Sequence, residues 1–583
     1  MLKYGKRVIA AALTGVLFIG AGQVGAPEIS SKGKIKLSKT KLTISVGAKA
    51  TIKLKNVKKK NVSKIRWTTS NKKVAKVSPT KKSAKTTVKG IAPGNAKIIA
   101  KLSGKKYTCK VKVKAKEKTM KETLEALDGV SKVETVPIIE GQNFFQQKYI
   151  VTFDQPLDWK DPSKGTFPQR VEVGLSDSAE INVLETNGYA LNDIFFGKKE
   201  LLGADDQPEM THLITKSGNY FNIEHRFFGG SSPADMSNSD TKYWEYHTPE
   251  NAANDYHKIF TTLAPVFGDR WVSVGTSRGG LMTNVYAKYF PDDMMAYIPY
   301  VAPCSDGLDG DNMYRFVYEE IGDVKYGKEQ AKKYRDIITA FQVDLLKNKE
   351  IILETLYHPF INDSRIVFQN GLADYSKVYD VNVLEFAVQM WQYSSKQQWI
   401  ESLSDILSMP ENTEEEKIAK LAKEFMMFMN VQSPQDWSIT FVAWPYYVNT
   451  AMYYGQYHYD FSYLRKAMKE AGVKDTLSVT PEQEKSFVWD ILFTPEQREK
   501  FVYDGTFRKE LIEDMKTTTA KHLMIFGASD PWISQSVPEE ATAGNENIKR
   551  YVNPNYPHDS TITNMPEDKK AEIISLLEGW LEP

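Results

Sequence analysis

A serine between glycines, an aspartate far downstream and a histidine near the C-terminal end are the residues of this chain best suited to chemistry. Ser277 lies in Gly275-Thr276-Ser277-Arg278-Gly279, a G-x-S-x-G pentapeptide. The run before it, Trp271-Val272-Ser273-Val274, has the composition of a buried strand. Residues 281–290 read as a helix that Pro291 ends. Strand, tight turn and helix together make a nucleophile elbow, which holds its serine in strained geometry and needs small neighbours where strand and helix nearly touch. Gly275, Gly279 and Gly280 supply them. A serine hydroxyl attacks poorly until an imidazole takes its proton, and a buried carboxylate must hold that imidazole in one tautomer. An elbow of this kind requires the order Ser, Asp, His along the chain.

The base follows by elimination. Histidines stand at 212, 225, 247, 257, 358, 458, 522 and 558, and only the last two lie beyond a long helical stretch. His522 opens an apolar strand. His558 sits in "NPNYPHDS", a loop between a strand and the final helix, and is the expected base. Asp530 in "HLMIFGASDPW" falls on the loop after the preceding strand and is the expected acid. Asp559 adjoins His558, and neighbouring side chains on an extended segment point apart, so it orients the ring poorly. Two backbone N–H groups must meet the oxyanion. Arg278, the residue after the serine, supplies one; the loop "EHRFFGGSSP" (224–233) supplies the other through Phe228 or Phe227.

The elements that must carry these residues are legible around them. Strand-like runs stand at 148–153, 169–175, 181–186 and 220–228, a helix at about 251–263, and strands again at 522–527 and 548–552 before a last helix at 567–580. Residues 117–135 read as a helical connector. Strands first, then strand–helix alternation, predict a mixed sheet whose later part is parallel. Residues 306–516 turn mostly helical and aromatic-rich. The expectation is an α/β class chain: an α/β-hydrolase core at 117–583 with a helical cap at about 306–516.

With 583 residues the chain is too long for one simple core, and its 41% hydrophobic content excludes a disordered protein. Residues 1–26 read as a signal peptide: Lys3, Lys6 and Arg7 precede an apolar run at 8–21 that is too short to span a bilayer. A secreted, extracellular or cell-wall-associated protein with no integral membrane span follows. Cys109 and Cys304 fall in different domains and are not expected to pair. "DGLDGDN" (306–312) lacks the spacing of an EF-hand loop, and no phosphate loop or metal-ligand helix is found, so neither cofactor nor metal is expected.

Charge divides the chain. Residues 32–116 hold 28 Lys and Arg and no Asp or Glu; against a total of +3 and a contribution of +2 from residues 1–31, residues 117–583 carry −27. Between 34 and 114 apolar and polar residues alternate in short runs, with turn signals at Gly47, Asn71, Pro93-Gly94 and Ser103-Gly104. That pattern predicts an all-β immunoglobulin-like sandwich with its lysines facing water. A field of this size should attract anionic cell-wall polymers in a salt-sensitive way. Nucleic acid is not the expected partner, because Trp67 and Tyr107 face inward and arginine is nearly absent.

Two resemblances rest on longer motifs. "WTTSNKKVAKVS" (67–78) and "VKGIAPGNAKIIAK" (88–101) resemble the bacterial immunoglobulin-like group 2 domain, which implies a surface-exposed spacer or adhesion module. "FDQPLDWKDPSKGTFPQRV" (153–171), "ETNGY" (185–189), "IEHRFFGGSSP" (223–233), "WVSVGTSRGG" (271–280), "FPDDMMAYIPYVAP" (290–303) and "ASDPW" (528–532) resemble the secreted tripeptidyl aminopeptidase family of serine exopeptidases. Trp159 and Arg278 stand where that family commonly has histidine and lysine. The resemblance implies peptide substrates, release of tri- or tetrapeptides from free N-termini, often after proline, and a cap that admits only chain ends. Cap aromatics, among them Trp437, Trp444, Tyr446, Tyr447, Tyr453 and Tyr454, would be placed to stack on a proline ring. The competing readings are a serine esterase on the same residues and an inactive surface adhesin.

Overall fold

Alternating side chains fold the basic segment into eight strands: β1 (Lys36–Leu37), β2 (Lys41–Ser45), β3 (Lys49–Lys55), β4 (Arg66–Thr69), β5 (Ala75–Ser78), β6 (Lys85–Gly90), β7 (Gly94–Leu102) and β8 (Lys105–Lys114). They form two four-stranded sheets, β1-β3-β6-β5 and β2-β8-β7-β4. Period-2 alternation sends Ile52, Trp67, Val88, Ile98, Cys109 and Val111 into one buried core and leaves the strand lysines exposed. Trp67 satisfies its indole by donating Nε1–H to the Ser83 carbonyl at 2.8 Å.

This computed structural model describes residues 33–138, 144–191, 209–236, 242–305, 313–354, 375–410, 413–429, 453–455, 459–484, 495–499 and 503–582. The chain separates into two units, Met1–Thr119 and Met120–Pro583. The segment read as a signal peptide, the "DGLDGDN" loop, and Trp437, Trp444, Tyr446 and Tyr447 lie outside the described residues. Among the described residues no helix is long and apolar enough to cross a membrane, and no cluster of His, Cys, Asp and Glu is placed to hold a metal ion. Cys109 and Cys304 are both buried and are not joined by a disulfide.

The second unit is built on a sheet of nine strands among the described residues, in the order β17-β16-β15-β14-β12-β13-β11-β10-β9. These are β9 (Val130–Val136), β10 (Gln147–Pro156), β11 (Thr166–Leu175), β12 (Ile181–Thr186), β13 (Gly218–Ile223), β14 (Trp271–Thr276), β15 (Ala296–Tyr300), β16 (His522–Gly527) and β17 (Ile548–Asn553). β9, β10 and β11 pair antiparallel; from β13 to β17 the pairings are parallel. The helical connector expected at 117–135 is a correction. Only Met120–Leu124 is helical, and β9 follows as an edge strand. It shows no alternation because Val133 alone of its residues is buried.

The central strands bury both faces, as parallel strands covered by helices do. In β14, Trp271 enters the core beneath α1 (Pro249–Phe267) and α2 (Arg278–Tyr289), while Val272 and Val274 enter the opposite layer. Thr248 caps α1 by accepting from the Asn251 N–H at 3.1 Å, and Pro249 starts it where no N–H is needed. Between β15 and β16 a helical insertion includes α3 (Lys328–Lys347), α4 (Tyr375–Gln392) and α5 (Glu414–Phe428), held by an apolar cluster of its own around Phe341, Phe386, Trp391 and Phe425. The last helix, α6 (Glu567–Leu581), packs Ile573 and Leu577 under the sheet.

Burial sets an acid limit on this unit. His522, at the start of β16, has its imidazole pushed down to about 4 by desolvation. Below pH 6.5 the unfolded chain binds a proton that the folded chain refuses, so stability is full above pH 6.5 and falls as pH drops toward 4. A difference of this size corresponds to about 3 kcal/mol. Melting curves between pH 7 and 4 should show the loss, and His522→Leu should reduce it, leaving the part that the buried His225 and His247 contribute. A pH-independent melting temperature in the parent protein would contradict this account.

Candidate active site

Ser277 joins β14 to α2 with φ 57° and ψ −124°, the left-handed strain expected of an elbow. Its N–H donates to the Tyr300 carbonyl at 2.8 Å, tying the turn to β15. The surrounding glycines are needed for space. A Cβ on Gly275 would stand 2.2 Å from the Gly279 oxygen. The Thr186 hydroxyl, at the end of β12, lies 2.8 Å from that of Thr283 and locks strand and helix together.

β14, β15, β16 and β17 run parallel, so their C-terminal ends share one edge of the sheet. Ser277 follows β14 there, Asp530 lies just past β16 and His558 just past β17. The His558 Nδ1–H donates to Asp530 Oδ2 at 2.8 Å, both groups being buried. The second Asp530 oxygen accepts the Trp532 N–H at 3.1 Å, which fixes the carboxylate rotamer. Gly527 makes this meeting possible, because a Cβ there would strike the Pro557 oxygen at 2.1 Å. Asp559 instead accepts from the Ser394 hydroxyl at 2.9 Å. The cap grips the same loop: the His558 backbone N–H donates to the Gln392 carbonyl at 3.0 Å, and the Tyr393 ring stands edge-on to the imidazole at 6.1 Å. A hydroxyl, an imidazole and a carboxylate so arranged on one sheet edge are the groups that acyl transfer uses.

Arg278 begins α2, where helix amides lack partners within the helix. Its buried guanidinium donates to the Gly188 carbonyl and lies 5.0 Å from the Phe228 ring centroid and 5.9 Å from that of Tyr454, an aromatic contributed by the cap. Burial first, and then this cation, hold His225 and His247 well below the usual imidazole range, so both stay neutral.

Phe228 as the second oxyanion donor is a correction. Its N–H already donates to the His225 carbonyl at 3.1 Å, and that of Phe227 donates to Ser231 at 2.7 Å. Their loop follows β13, which is not adjacent to β14; the neighbour of β14 is β12. The loop after β12 carries Gly188, so close to the elbow that a Cβ on it would stand 2.7 Å from the Gly279 nitrogen. Chain order suggested the later loop because an exchange of neighbouring strands leaves no mark in sequence.

Glu209 was missed altogether. It accepts from the Tyr300 hydroxyl at 2.7 Å and from the Ile562 and Thr563 N–H groups at 2.8 Å each, clamping the chain that follows His558 to β15. Glu209→Ala should leave these donors without an acceptor and loosen the His558 loop. The expected result is a fall in kcat of about tenfold to a hundredfold with KM little changed, partly restored in Glu209→Gln. An unchanged kcat would exclude the clamp. Trp159 donates Nε1–H to Asp255 at 2.8 Å, beside the buried Arg226–Asp255 pair, and so belongs to the scaffold.

The profile of PS-10 peptidase S37 matches residues 113–581. The chain belongs to that family. As a PS-10 peptidase S37 protein it is a serine peptidase, and its residues 33–113 match the bacterial Ig-like domain (group 2). It is 24% identical over 460 residues to the prolyl tri/tetrapeptidyl aminopeptidase of Streptomyces mobaraensis, covering 78% of this chain and 84% of that one. Among solved structures, the proline iminopeptidase of Mycobacterium smegmatis is 12% identical, with 77% of this chain and 99% of that chain covered and a TM-score of 0.32. Esterase E22 is 11% identical, with 77% and 100% covered and a TM-score of 0.36.

Proposed function

We propose that this peptidase is a secreted exopeptidase that releases tri- or tetrapeptides from free N-termini, preferring proline at the cleaved bond. Ser277 Oγ attacks the carbonyl carbon while His558 Nε2 takes its proton. Asp530 holds the imidazole tautomer and stabilises the imidazolium. The tetrahedral oxyanion is met by the Arg278 N–H and by an N–H of the 187–189 loop. His558 then returns the proton to the leaving amine, and water releases the acyl group by the same steps. The observation that carries this reading is the buried 2.8 Å bond between His558 and Asp530 on the sheet edge that also bears the Ser277 elbow. The named function of the Streptomyces relative supports the choice of substrate.

A fluorogenic Ala-Ala-Pro substrate tests it in two forms. The free-amine form should be cleaved, and the N-acylated form should be slower by about a hundredfold or more, through loss of a charged contact to the ammonium. Equal rates would exclude an exopeptidase, and faster turnover of simple esters with no peptide cleavage would favour the esterase reading. To the basic unit we assign retention of the enzyme at an anionic polymer of the cell envelope, supported by its charge and by its Ig-like fold.

A further inference from the structure

The lysines of the Ig-like unit are set in register across its strands. In the sheet β2-β8-β7-β4, Lys41 pairs with Lys110, and Lys110 with Lys97 on its other side; the next outward row is Thr43, Lys112 and Asn95. Farther along, Lys106, Lys101 and Arg66 form a third row. All of these side chains are exposed, and residues 32–116 contain no carboxylate to neutralise them. Like charges directly opposite one another destabilise a sheet, so nothing in folding favours this arrangement. Between the first two rows lies a groove of about 340 Å³. It is lined by Lys41, Lys97, Lys110 and Lys112 together with the neutral polar groups of Thr43, Ser70 and Asn95.

We infer that this groove is the seat of a linear polyol-phosphate polymer, a chain of phosphodiesters laid along β8. The inference rests on the envelope-retention reading above and assigns it a face and a chemistry. Lysines two apart on a strand stand roughly 6.7 Å apart and those on neighbouring strands about 4.8 Å, so a flexible chain with one negative charge per short repeat can reach Lys110 and Lys112 along β8 and Lys41 and Lys97 beside them. Lysine offers a point charge on a flexible stem, which suits phosphates of variable orientation better than the planar fork of arginine does. Thr43, Ser70 and Asn95 provide hydrogen bonds for the polyol oxygens. A nucleic acid would need exposed aromatic platforms for its bases. The groove lining contains none, and Trp67 is buried in the sandwich core.

The test uses the full-length protein and purified poly(glycerol phosphate). One variant carries Lys→Gln at 41, 97, 110 and 112; a second carries Lys→Gln at 49, 76, 85 and 89, exposed positions of the opposite sheet. Both lose the same charge, and a cooperative melting transition of the Ig-like unit no lower than the parent's shows that both are folded. The groove variant should bind at least about tenfold more weakly, the control variant within about twofold of the parent, and binding should weaken as salt rises. Equal losses in both variants would overturn the groove and leave only a diffuse field. No binding by the parent protein at low salt would remove envelope retention itself. Tighter binding of a single-stranded oligonucleotide than of poly(glycerol phosphate) would overturn the polymer class.

Discussion

Ser277→Ala should lower kcat by about 10⁴-fold or more while the protein folds normally. The substitution keeps a Cβ, so the left-handed strain at this position and the close approach of β14 to α2 are unchanged. What is lost is the hydroxyl oxygen proposed to form the acyl bond. A fluorophosphonate should label the parent chain at one site and fail to label the variant. His558→Ala should reach a similar floor. The double variant should fall no further, because residues that act as a unit lose their effect together. Full turnover by purified Ser277→Ala would end the proposal, and labelling without turnover of any peptide would turn attention to the esterase reading.

The elbow was legible because its demands are local. Glycine spacing, a β-rich run and a helix stop all fall within twenty residues, and each element exists as read. His558 was legible as the expected base by elimination, because of the two histidines beyond the insertion His522 opens its strand, at the end away from the serine's edge, whereas His558 follows one. Other parts of the site depend on neighbours that chain order conceals. The loop at 187–189, proposed to donate to the oxyanion, is adjacent to the elbow only because β12 and β13 exchange places in the sheet. Glu209 is a single carboxylate in a short 3₁₀ turn, and its three partners lie 91 to 354 residues away in sequence. β9 carries one buried side chain, too few to create a period. Local patterns therefore pointed to the groups proposed to react, whereas the parts that hold them in place came from long-range packing.

The cap is part of that support. It closes over the base from one side, through Gln392 and Tyr393, while Glu209 holds the following chain from the other. These contacts fix the backbone that carries the imidazole, whose ring is held by Asp530, and acyl transfer depends on angstrom-scale placement of the proton acceptor. A displacement of α4 would carry the His558 backbone with it.

Asp530→Asn is expected to lower kcat by about 10⁴-fold without disturbing the fold. The substituted side chain has the same shape, and its carbonyl oxygen can still accept the Trp532 N–H and cap the turn at Pro531. Facing His558, however, it presents an amide N–H₂ where the carboxylate presented an acceptor. Nδ1 must then accept a hydrogen bond, which leaves the proton on Nε2, and a protonated Nε2 cannot take the proton of Ser277. The change acts through the tautomer, so KM should move little while kcat collapses, and fluorophosphonate labelling should slow in proportion to kcat. Because Asp530 is fully buried, Asp530→Ala would confound this reading with a cavity and an unpaired imidazole. The asparagine variant separates the chemistry from the packing. A loss of less than about tenfold would mean that the carboxylate only packs against the ring, and that the imidazole is oriented by its backbone bond to Gln392.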